Sequence, residues 1–296
     1  MHFDTMNIHF ISGLPRAGST LLSVLLAQNP RIHATITSPL FSIATAMRQA
    51  MSTSSEHYQL MNERKRLKLY AGLFDSYYED AYKAGKTIVF DSNRSWLQLQ
   101  ALTSTVFPGA RTIVCVRSPS WVIDSLEQLF LANAAVIPQY FNDAFEARSL
   151  YSRTDALMRP DRMVGASWSN LREAFYGPQS EQLLIVEYTA LVADPEATLR
   201  TLYNFIGEPF FEHKYSELRI ESQDDIERFD YAMGVPGLHR VGGEVRRRAR
   251  ATVLPPELYE RLERMAFWRE VNATNAKVLL GPPETPANRH ATQTAE

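Results

Sequence analysis

The sequence predicts an α/β fold of three layers, in which helices cover both faces of a central parallel sheet. Four short apolar runs are bounded by turn residues or charges, as buried parallel strands are. They are 7–12, 87–91, 111–116 and 183–188. Helical patterns occupy the intervals between these runs, and this alternation indicates a sheet that is covered on both sides. We expect helices over 18–28, 40–52, 56–84, 96–105 and 119–134, and a longer helical stretch through 140–176.

One further helix has well-marked ends. In ADPEATLRTLYNFIGEP, Asp194 can cap the first turn, Pro195 fits that turn, and Gly207 closes the last one. The apolar residues between them fall on one face, which predicts a helix that packs against the sheet.

The length and composition are those of one large globular domain. The chain has 296 residues, of which 45% are hydrophobic and 22% are charged, and this is enough to bury a sizeable core. We expect a single domain over residues 1–280, because no linker interrupts that range. The segment 281–296 has no core-forming residues, which predicts a disordered tail.

Charge and hydropathy argue against two classes of partner. The formal net charge of −2 does not suit a general nucleic-acid binder, so any anion site has to be local. No apolar run approaches the roughly 20 residues that span a bilayer, and the N-terminus lacks a basic stretch followed by an apolar one. We therefore expect a cytoplasmic protein that binds neither nucleic acid nor membrane. The oligomeric state stays open, with a homodimer as one alternative.

The stretch FISGLPRAGSTLL is typical of a phosphate-binding loop, with one residue changed. Gly13 and Gly18 stand five apart and Thr20 follows, as in G-x-x-x-x-G-K-[ST], but Ser19 occupies the lysine position. The strand–turn–helix context directs backbone N–H groups and a helix N-terminus at an anion. Arg16 adds a planar cation. The loop predicts an anion site in a P-loop-like fold; the alternative is an ordinary turn capped by Ser19 or Thr20.

A second anion motif follows the strand at 111–116. In TIVCVRSPSWVIDSLEQL, Arg117 leaves the carboxyl end of the strand, where ligands bind in open α/β sheets. Ser125 comes eight residues later, two turns into the next helix. Both side chains can face one crevice and bracket a phosphate. The alternative is a surface arginine with an incidental serine nearby.

Together the two motifs resemble those of sulfotransferases that use 3′-phosphoadenosine 5′-phosphosulfate (PAPS). GLPRAGSTLL is similar to the 5′-phosphosulfate loop of that family, and VRSPSWVIDS is similar to its 3′-phosphate motif. VEYTALVADPEATLRTLYNFIGEPF resembles its tyrosine-containing strand and C-terminal helix, and HRVGGEVRRRARATVLPPEL stands in the place of its late basic loop. The likeness runs from residue 7 to about 270. AMRQAMS places it nearest to the tyrosylprotein and bacterial branch.

The resemblance implies that PAPS is the donor cosubstrate, that no metal ion takes part, and that a sulfuryl group moves to a hydroxyl by in-line displacement. It implies that the 5′-phosphosulfate is bound by Arg16, Ala17, Gly18, Ser19 and Thr20, and the 3′-phosphate by Arg117 and Ser125. Tyr188 matches a tyrosine that contacts the nucleotide in some members. Arg246 and Arg248, from the run RRRAR, would close over the 3′-phosphate; the alternative for this run is a solvated basic face.

The catalytic base of the branch is not present at its expected position. Thr37 stands where the branch has a catalytic glutamate, and FDSNRSW replaces a segment that carries a lysine. Asp91 is the predicted replacement, because it ends a central strand and should open into the crevice; the alternative is a helix cap. Arg94 is the predicted catalytic cation, with a surface position as the alternative. Arg16 should also act in catalysis, since it lies by the departing oxygens.

Three more residues are weaker candidates for the reaction centre. His33 and His239 could each act as the base, although a lone histidine is more often structural. Ser38 could hydrogen-bond near the sulfate. A general base contributes roughly 10²–10⁴-fold to such a step, so its identity matters to the prediction.

No motif in the sequence identifies the acceptor. A small molecule, a carbohydrate or a peptide-like compound fits a cytoplasmic enzyme best, and aromatic residues within 131–180 could line its pocket or belong to the core. Two other functions remain open. One is a P-loop kinase of a small metabolite, and the other is a nucleotide-binding module without catalytic activity.

Overall fold

The computed structural model describes residues 7–53, 56–133, 135, 140–220, 223–247 and 251–287. Its strands are β1 (Asn7–Gly13), β2 (Ile32–Ala34), β3 (Ile88–Ser92), β4 (Thr112–Val116), β5 (Leu183–Glu187) and β6 (Lys277–Leu279). They form one sheet in the order β2-β3-β1-β4-β5-β6, and all neighbouring strands are parallel. The predicted α/β fold with a central parallel sheet is confirmed.

The four predicted strands are present, and each end lies within one residue of its expected place. β2 and β6 were not predicted. Each has three residues and lies at an edge of the sheet, and a run of this length has no periodic pattern to recognise.

Helices cover the sheet. They are α1 (Ser19–Ala27), α2 (Leu40–Ala50), α3 (Glu63–Tyr77), α4 (Glu79–Lys83), α5 (Gln100–Val106), α6 (Pro119–Ala132), α7 (Ala144–Ala147), α8 (Leu150–Met158), α9 (Met163–Tyr176), α10 (Tyr188–Ala193), α11 (Pro195–Ile206), α12 (Gln223–Ala232) and α13 (Pro256–Glu263). Short 3₁₀ turns lie at Glu56–Leu60, Trp96–Leu99, Ser180–Gln182 and Phe267–Arg269. Among the residues described, none of these helices is long and apolar enough to cross a bilayer.

Two long helical predictions are broken by capping residues. The range 56–84 divides into a 3₁₀ turn, α3 and α4, and the side chain of Asn62 caps α3 by accepting from a backbone N–H at 2.9 Å. The range 140–176 divides into α7, α8 and α9, and Ser149 forms a capping box at the start of α8. A side chain that satisfies the first N–H groups starts a new helix inside an otherwise continuous pattern.

The helix α11 has the predicted ends. Asp194 accepts a hydrogen bond from the backbone N–H of Ala197 at 2.9 Å, and Gly207 ends the helix in the left-handed region with φ 75°. Both features satisfy backbone groups that a helix leaves without partners at its ends.

The sheet is buried on both faces, which makes the molecule three layers deep. Along β1, Ile8 and Phe10 pack into one apolar cluster, together with Trp96. Ile11 points to the other side and packs into a second cluster with Val114. Alternate residues of a strand face opposite sides of a sheet, so the two clusters are the two helix–sheet interfaces.

The end of β1 depends on glycine. Gly13 has φ +122°, and a Cβ added there would lie 2.0 Å from the carbonyl oxygen of Cys115 on β4. We expect Gly13→Ala to lower the free energy of unfolding by more than about 2 kcal/mol, because both the left-handed backbone and the overlap are strained. Urea denaturation measures this change. Gly72→Ala is the control: its Cβ would meet nothing within 4 Å, so stability should hold or rise. Equal stabilities for the two variants would contradict the packing described.

A buried histidine on β1 makes stability depend on pH. His9 is 4% exposed, and burial, with a smaller effect of Arg111, lowers its pKa from 6.5 to about 4. The folded state therefore keeps His9 neutral while the unfolded state takes up a proton below pH 6.5. The free energy of unfolding should be constant above that pH and fall by about 3 kcal/mol between pH 6.5 and 4.

The variant His9→Asn isolates this effect, since an amide oxygen can still accept from the backbone N–H of Arg111, which lies 3.1 Å from the ring Nδ1. Urea denaturation at several pH values should give a flatter profile for His9→Asn than for the wild type. Parallel profiles over pH 4–6.5 would exclude His9 as the source.

Part of the segment 281–296 lies against the domain. The backbone N–H of Gly281 donates to Glu187 at 3.2 Å, and the backbone carbonyl of Glu284 accepts from the indole of Trp121 at 2.9 Å. Residues 288–296 lie outside the described residues, so the disordered tail stays a prediction for that part.

Candidate functional site

The predicted phosphate loop connects β1 to α1 at the carboxyl edge of the sheet. Gly18 precedes the helix with φ 92°, and a Cβ there would lie 2.9 Å from the ring of Tyr188. Ser19 and Thr20 form the first turn of α1 and line a cavity. Ala17 is 1% exposed and is not among the cavity-lining residues, so it can offer a ligand its backbone only. The first N–H groups of a helix lack partners within it.

Arg117 and Tyr188 form a stacked pair beside this loop. Arg117 is 8% exposed, and its guanidinium carbon lies 4.4 Å from the ring centroid of Tyr188 and 5.7 Å from that of Trp121. β4 ends just before Arg117, and Tyr188 is the first residue of α10, directly after β5. The aromatic rings hold the guanidinium plane, so its N–H groups are directed at one partner.

The two predicted anion motifs meet. The Nε of Arg16 donates to the hydroxyl of Ser125 at 3.1 Å, although the residues are 109 positions apart. Both residues, together with Arg117 and Tyr188, line a cavity of about 420 Å³. A larger cavity of about 800 Å³ is lined by the same arginines and tyrosine and by the phosphate loop. The sequence prediction that both motifs face one crevice is therefore met by the geometry.

Arg117 already has a carboxylate partner. Both oxygens of Glu284 accept from its guanidinium, one at 2.9 Å to Nε and the other from Nη2. Backbone contacts hold this segment in place: Tyr259 donates to the carbonyl of Glu284 at 3.1 Å, and Arg247 donates to that of Pro283 at 2.6 Å. A planar anion bound by two parallel N–H groups is the geometry in which arginine also binds phosphate.

The basic run RRRAR is only partly described. Arg246 lines the larger cavity, is exposed, and has the carboxylate of Glu244 at 3.8 Å. Arg247 lines the smaller cavity. Arg248 lies outside the described residues, so its predicted contact with the 3′-phosphate stays a prediction.

The expected position of Asp91 needs correction. Its side chain is fully buried and accepts from the indole Nε1 of Trp96 at 2.7 Å and from the hydroxyl of Tyr78. It is not among the cavity-lining residues. Burial raises the pKa of Asp91, and the hydrogen bonds from Tyr78, Ser38 and Trp96 oppose that rise. Both carboxylate oxygens are used within the core, where Asp91 holds two aromatic side chains away from the crevice. The alternative of a helix cap does not hold either.

Arg94 does reach the cavity. Its side chain is accessible there, but the surrounding protein removes water from it, which lowers the pKa of Arg94. The charge of Arg94 acts on Tyr140, a cavity-lining residue that is 8% exposed. The hydroxyl of Tyr140 has no hydrogen-bond partner among the described residues. A buried polar atom without a partner at a cavity wall is placed to meet a ligand.

The weaker candidates separate into two groups. His33 is a half-buried residue of β2 that is absent from the cavity lining, and its ring centroid lies 5.5 Å from that of Tyr78. Thr37 and Ser38 line the cavity, and the hydroxyl of Ser38 caps α2 by accepting from the N–H of Leu40 at 3.0 Å. His239 lines the cavity as well.

His239 has a partner that the sequence analysis missed. Its ring Nδ1 lies 2.6 Å from Oδ1 of Asp230, and its backbone N–H donates to Oδ2 at 2.9 Å. Asp230 is 2% exposed and belongs to α12. A histidine nine residues after an aspartate is only a weak signal in a sequence. Both residues lie in a segment with few core residues, and a carboxylate that is buried there needs a hydrogen-bond partner.

Comparisons with known proteins agree on one family. A model of the sulfotransferase family matches residues 9–212. Protein-tyrosine sulfotransferase 1 of Danio rerio is 25% identical over 216 residues, which cover 69% of this chain and 54% of that protein. The chain thus matches about half the length of this relative.

Solved structures with similar folds are also sulfotransferases by name. The mouse sulfotransferase SULT7A1 complexed with PAP is 12% identical, with a TM-score of 0.49 over 90% of this chain and 85% of that one. A sulfotransferase from Alicyclobacillus acidocaldarius is 16% identical, with a TM-score of 0.47 over 77% of this chain and 92% of that one.

Proposed function

Because the chain belongs to the sulfotransferase family, we propose that it transfers a sulfuryl group from PAPS to the hydroxyl of a small-molecule, carbohydrate or peptide-like acceptor. The observation that carries this proposal is that the phosphate loop and Arg117 line one cavity of about 800 Å³, while Arg16 contacts Ser125, with which it lines the smaller cavity beside Arg117. A donor with phosphate groups at two separate positions needs two such anion sites at one crevice.

The residues of the crevice fit such a donor. PAPS supplies an activated sulfuryl group on its 5′-phosphate. The N–H groups and hydroxyls of Ser19 and Thr20, with the guanidinium of Arg16, suit the 5′-phosphosulfate. Gly18 leaves the backbone open where a side chain would strike Tyr188. Arg117 and Ser125 suit the 3′-phosphate.

The main requirement of sulfuryl transfer is to stabilise the negative charge that develops on the leaving group. As the bond from sulfur to the 5′-phosphate breaks, negative charge develops on the phosphate oxygens. Preorganised donors at that position stabilise the transition state more than the ground state. Arg16 and the start of α1 supply such donors, and they suffice for this task without the lysine that an ATP-binding loop carries at the position of Ser19.

Part of the wall of the larger cavity is apolar and would suit the acceptor. Its wall on the side of α2 and α12 includes Ile36, Phe41, Phe229, Met233 and Val241. Arg94 and Tyr140 add polar groups to the lining of the same cavity. Apolar walls with few convergent polar groups are typical of small-ligand sites, which supports an acceptor with an aromatic or hydrocarbon part.

Mass spectrometry on an acceptor library tests the proposal. The protein is incubated with PAPS, a chelator and a mixture of phenols, alcohols, sugars and short peptides. We expect at least one library member to gain a sulfuryl group while adenosine 3′,5′-bisphosphate accumulates in equal amount. In a second incubation, ATP and magnesium replace PAPS and the chelator, and phosphorylation of a library member there would instead indicate a P-loop kinase. Tight binding of adenosine 3′,5′-bisphosphate without any product would indicate a nucleotide-binding module that has no catalytic activity.

Glu284 should weaken donor binding, because a 3′-phosphate at Arg117 has to displace its carboxylate. We expect Glu284→Gln to bind adenosine 3′,5′-bisphosphate about fivefold more tightly in calorimetry, since the charge-assisted competitor is removed and the backbone contacts of the segment remain. Adenosine 5′-monophosphate, which has no 3′-phosphate, should bind both proteins equally. Glu270→Gln makes the same charge change at an exposed position and serves as the control. An equal gain for both nucleotides would show that Glu284 does not compete at Arg117.

A further inference from the structure

The cavity contains one histidine that a buried carboxylate holds in place. Asp230 contacts His239 twice, through the ring Nδ1 at 2.6 Å and the backbone N–H at 2.9 Å. A carboxylate oxygen accepts hydrogen bonds, so we assign the ring proton to Nδ1. Nε2 then carries the lone pair, and the contact at Nδ1 restrains the ring.

This histidine lies next to the predicted reaction centre. The carbonyl oxygen of Leu238, the preceding residue, accepts a hydrogen bond from the guanidinium of Arg16. The phosphate loop, Arg94, Tyr140 and His239 line the same cavity. Tyr140 is near the charges of Arg94, Asp230 and Arg16, so these groups surround one region of the crevice.

Few other groups in the cavity can accept a proton. Thr37 has a neutral hydroxyl, and Asp91 is buried behind Trp96 and Tyr78. Among the described residues that line the larger cavity, the imidazole and carboxyl groups are those of His239 and Glu244. The side chain of Glu244 is 57% exposed and lies 3.8 Å from Arg246, and within the described part of the chain it has no buried partner.

We propose that His239 is the catalytic base of the sulfuryl transfer and that Asp230 positions it. The inference rests on the proposed function. Nε2 of His239 takes the proton of the acceptor hydroxyl as the acceptor oxygen forms its bond to sulfur. The bond from sulfur to the 5′-phosphate oxygen breaks, and its electron pair stays on that oxygen. The carboxylate of Asp230 stabilises the imidazolium that results.

The test uses ³⁵S-labelled PAPS, with 2-naphthol and water as acceptors, and counts all label lost from the donor. We expect His239→Ala to lower the rate at least about 100-fold while calorimetry gives adenosine 3′,5′-bisphosphate nearly the wild-type affinity. Added imidazole should restore part of the rate in His239→Ala and leave the wild type unchanged, which a structural role would not produce. His239→Gln keeps a side chain of similar size. Its rate should fall as much as that of His239→Ala, but added imidazole should not restore it.

Asp230→Asn should lower kcat and leave the KM for PAPS unchanged, because it acts through the orientation of His239. In the background of His239→Ala it should have no further effect. Two results for His239→Ala would each overturn the inference: a rate above half of the wild-type rate, or a loss of rate that imidazole does not rescue. So would a loss of rate in Glu244→Gln as large as that in His239→Ala. Additive effects of His239→Ala and Asp230→Asn on the rate would overturn it as well. The proposed function fails separately, if the wild type neither binds adenosine 3′,5′-bisphosphate nor consumes PAPS.

Discussion

Replacing Arg117 by alanine should weaken the binding of adenosine 3′,5′-bisphosphate more than about tenfold, or ~1.5 kcal/mol. The guanidinium is 8% exposed and is held against the ring of Tyr188 at 4.4 Å, so its N–H groups are already directed at an anion. The pair with Glu284 demonstrates that two of them reach one planar group together. Isothermal calorimetry measures the change directly.

Arg117→Lys and Arg264→Ala complete this experiment. Lysine keeps the charge but not the planar fork, so its affinity should fall between those of the wild type and Arg117→Ala. Arg264 is 78% exposed on the surface and lies outside both cavity linings, so Arg264→Ala should bind as the wild type does. Wild-type affinity in Arg117→Ala would remove Arg117 from the 3′-phosphate site.

Arg16→Ala should slow sulfuryl transfer by about 10²–10³-fold, the usual cost of removing one preorganised donor at a developing charge. The side chain of Arg16 joins the two anion motifs, because it donates both to Ser125 at 3.1 Å and to the carbonyl of Leu238. Under the proposed function, the substitution removes the cation at the leaving group together with the contacts to Ser125 and Leu238. The rate of label loss from ³⁵S-labelled PAPS measures the effect.

Two further measurements separate these contributions. If Arg16 acts on the transition state, the fall in kcat should exceed the fall in affinity for adenosine 3′,5′-bisphosphate. Arg16→Lys should recover part of the rate, since it keeps a charge near the leaving oxygens. Near-normal turnover in Arg16→Ala would exclude Arg16 from the mechanism.

The fold was predictable because its determinants are local. The core strands are continuous apolar runs, and the ends of α11 are set by Asp194 and Gly207, which stand beside the elements that they terminate. The two strands that were not predicted lack such local determinants. β2 and β6 have three residues each and exist because they pair with β3 and β5, which no short-range pattern reveals.

The meeting of the two anion motifs in one crevice could be predicted for a similar reason. Gly13, Gly18 and Thr20 belong to one turn, and Arg117 and Ser125 belong to one strand–helix junction, so their spacing carries the information. The carboxyl ends of β1 and β4 are neighbours in the sheet, so this strand order brings the two motifs together.

The rest of the candidate site depends on contacts between distant parts of the chain. Asp91 lies in β3, one residue before its end rather than at the predicted end, and the aromatic side chains of Tyr78 and Trp96 enclose it. Glu284 reaches Arg117 from 167 positions away, and Tyr140 gains its environment from Arg94 and Asp230. Residue type and position in a strand indicate that a carboxylate is near the crevice, but not whether the core or the cavity receives it.

The central claim is that one crevice binds both phosphate ends of a bisphosphorylated adenosine. Calorimetry on the wild-type protein with adenosine 3′,5′-bisphosphate, adenosine 5′-monophosphate and adenosine 3′-monophosphate tests it most directly. We expect the bisphosphate to bind more tightly than either monophosphate by at least about tenfold, because each phosphate adds charge-assisted hydrogen bonds. A bisphosphate that binds no more tightly than the better monophosphate would contradict the claim.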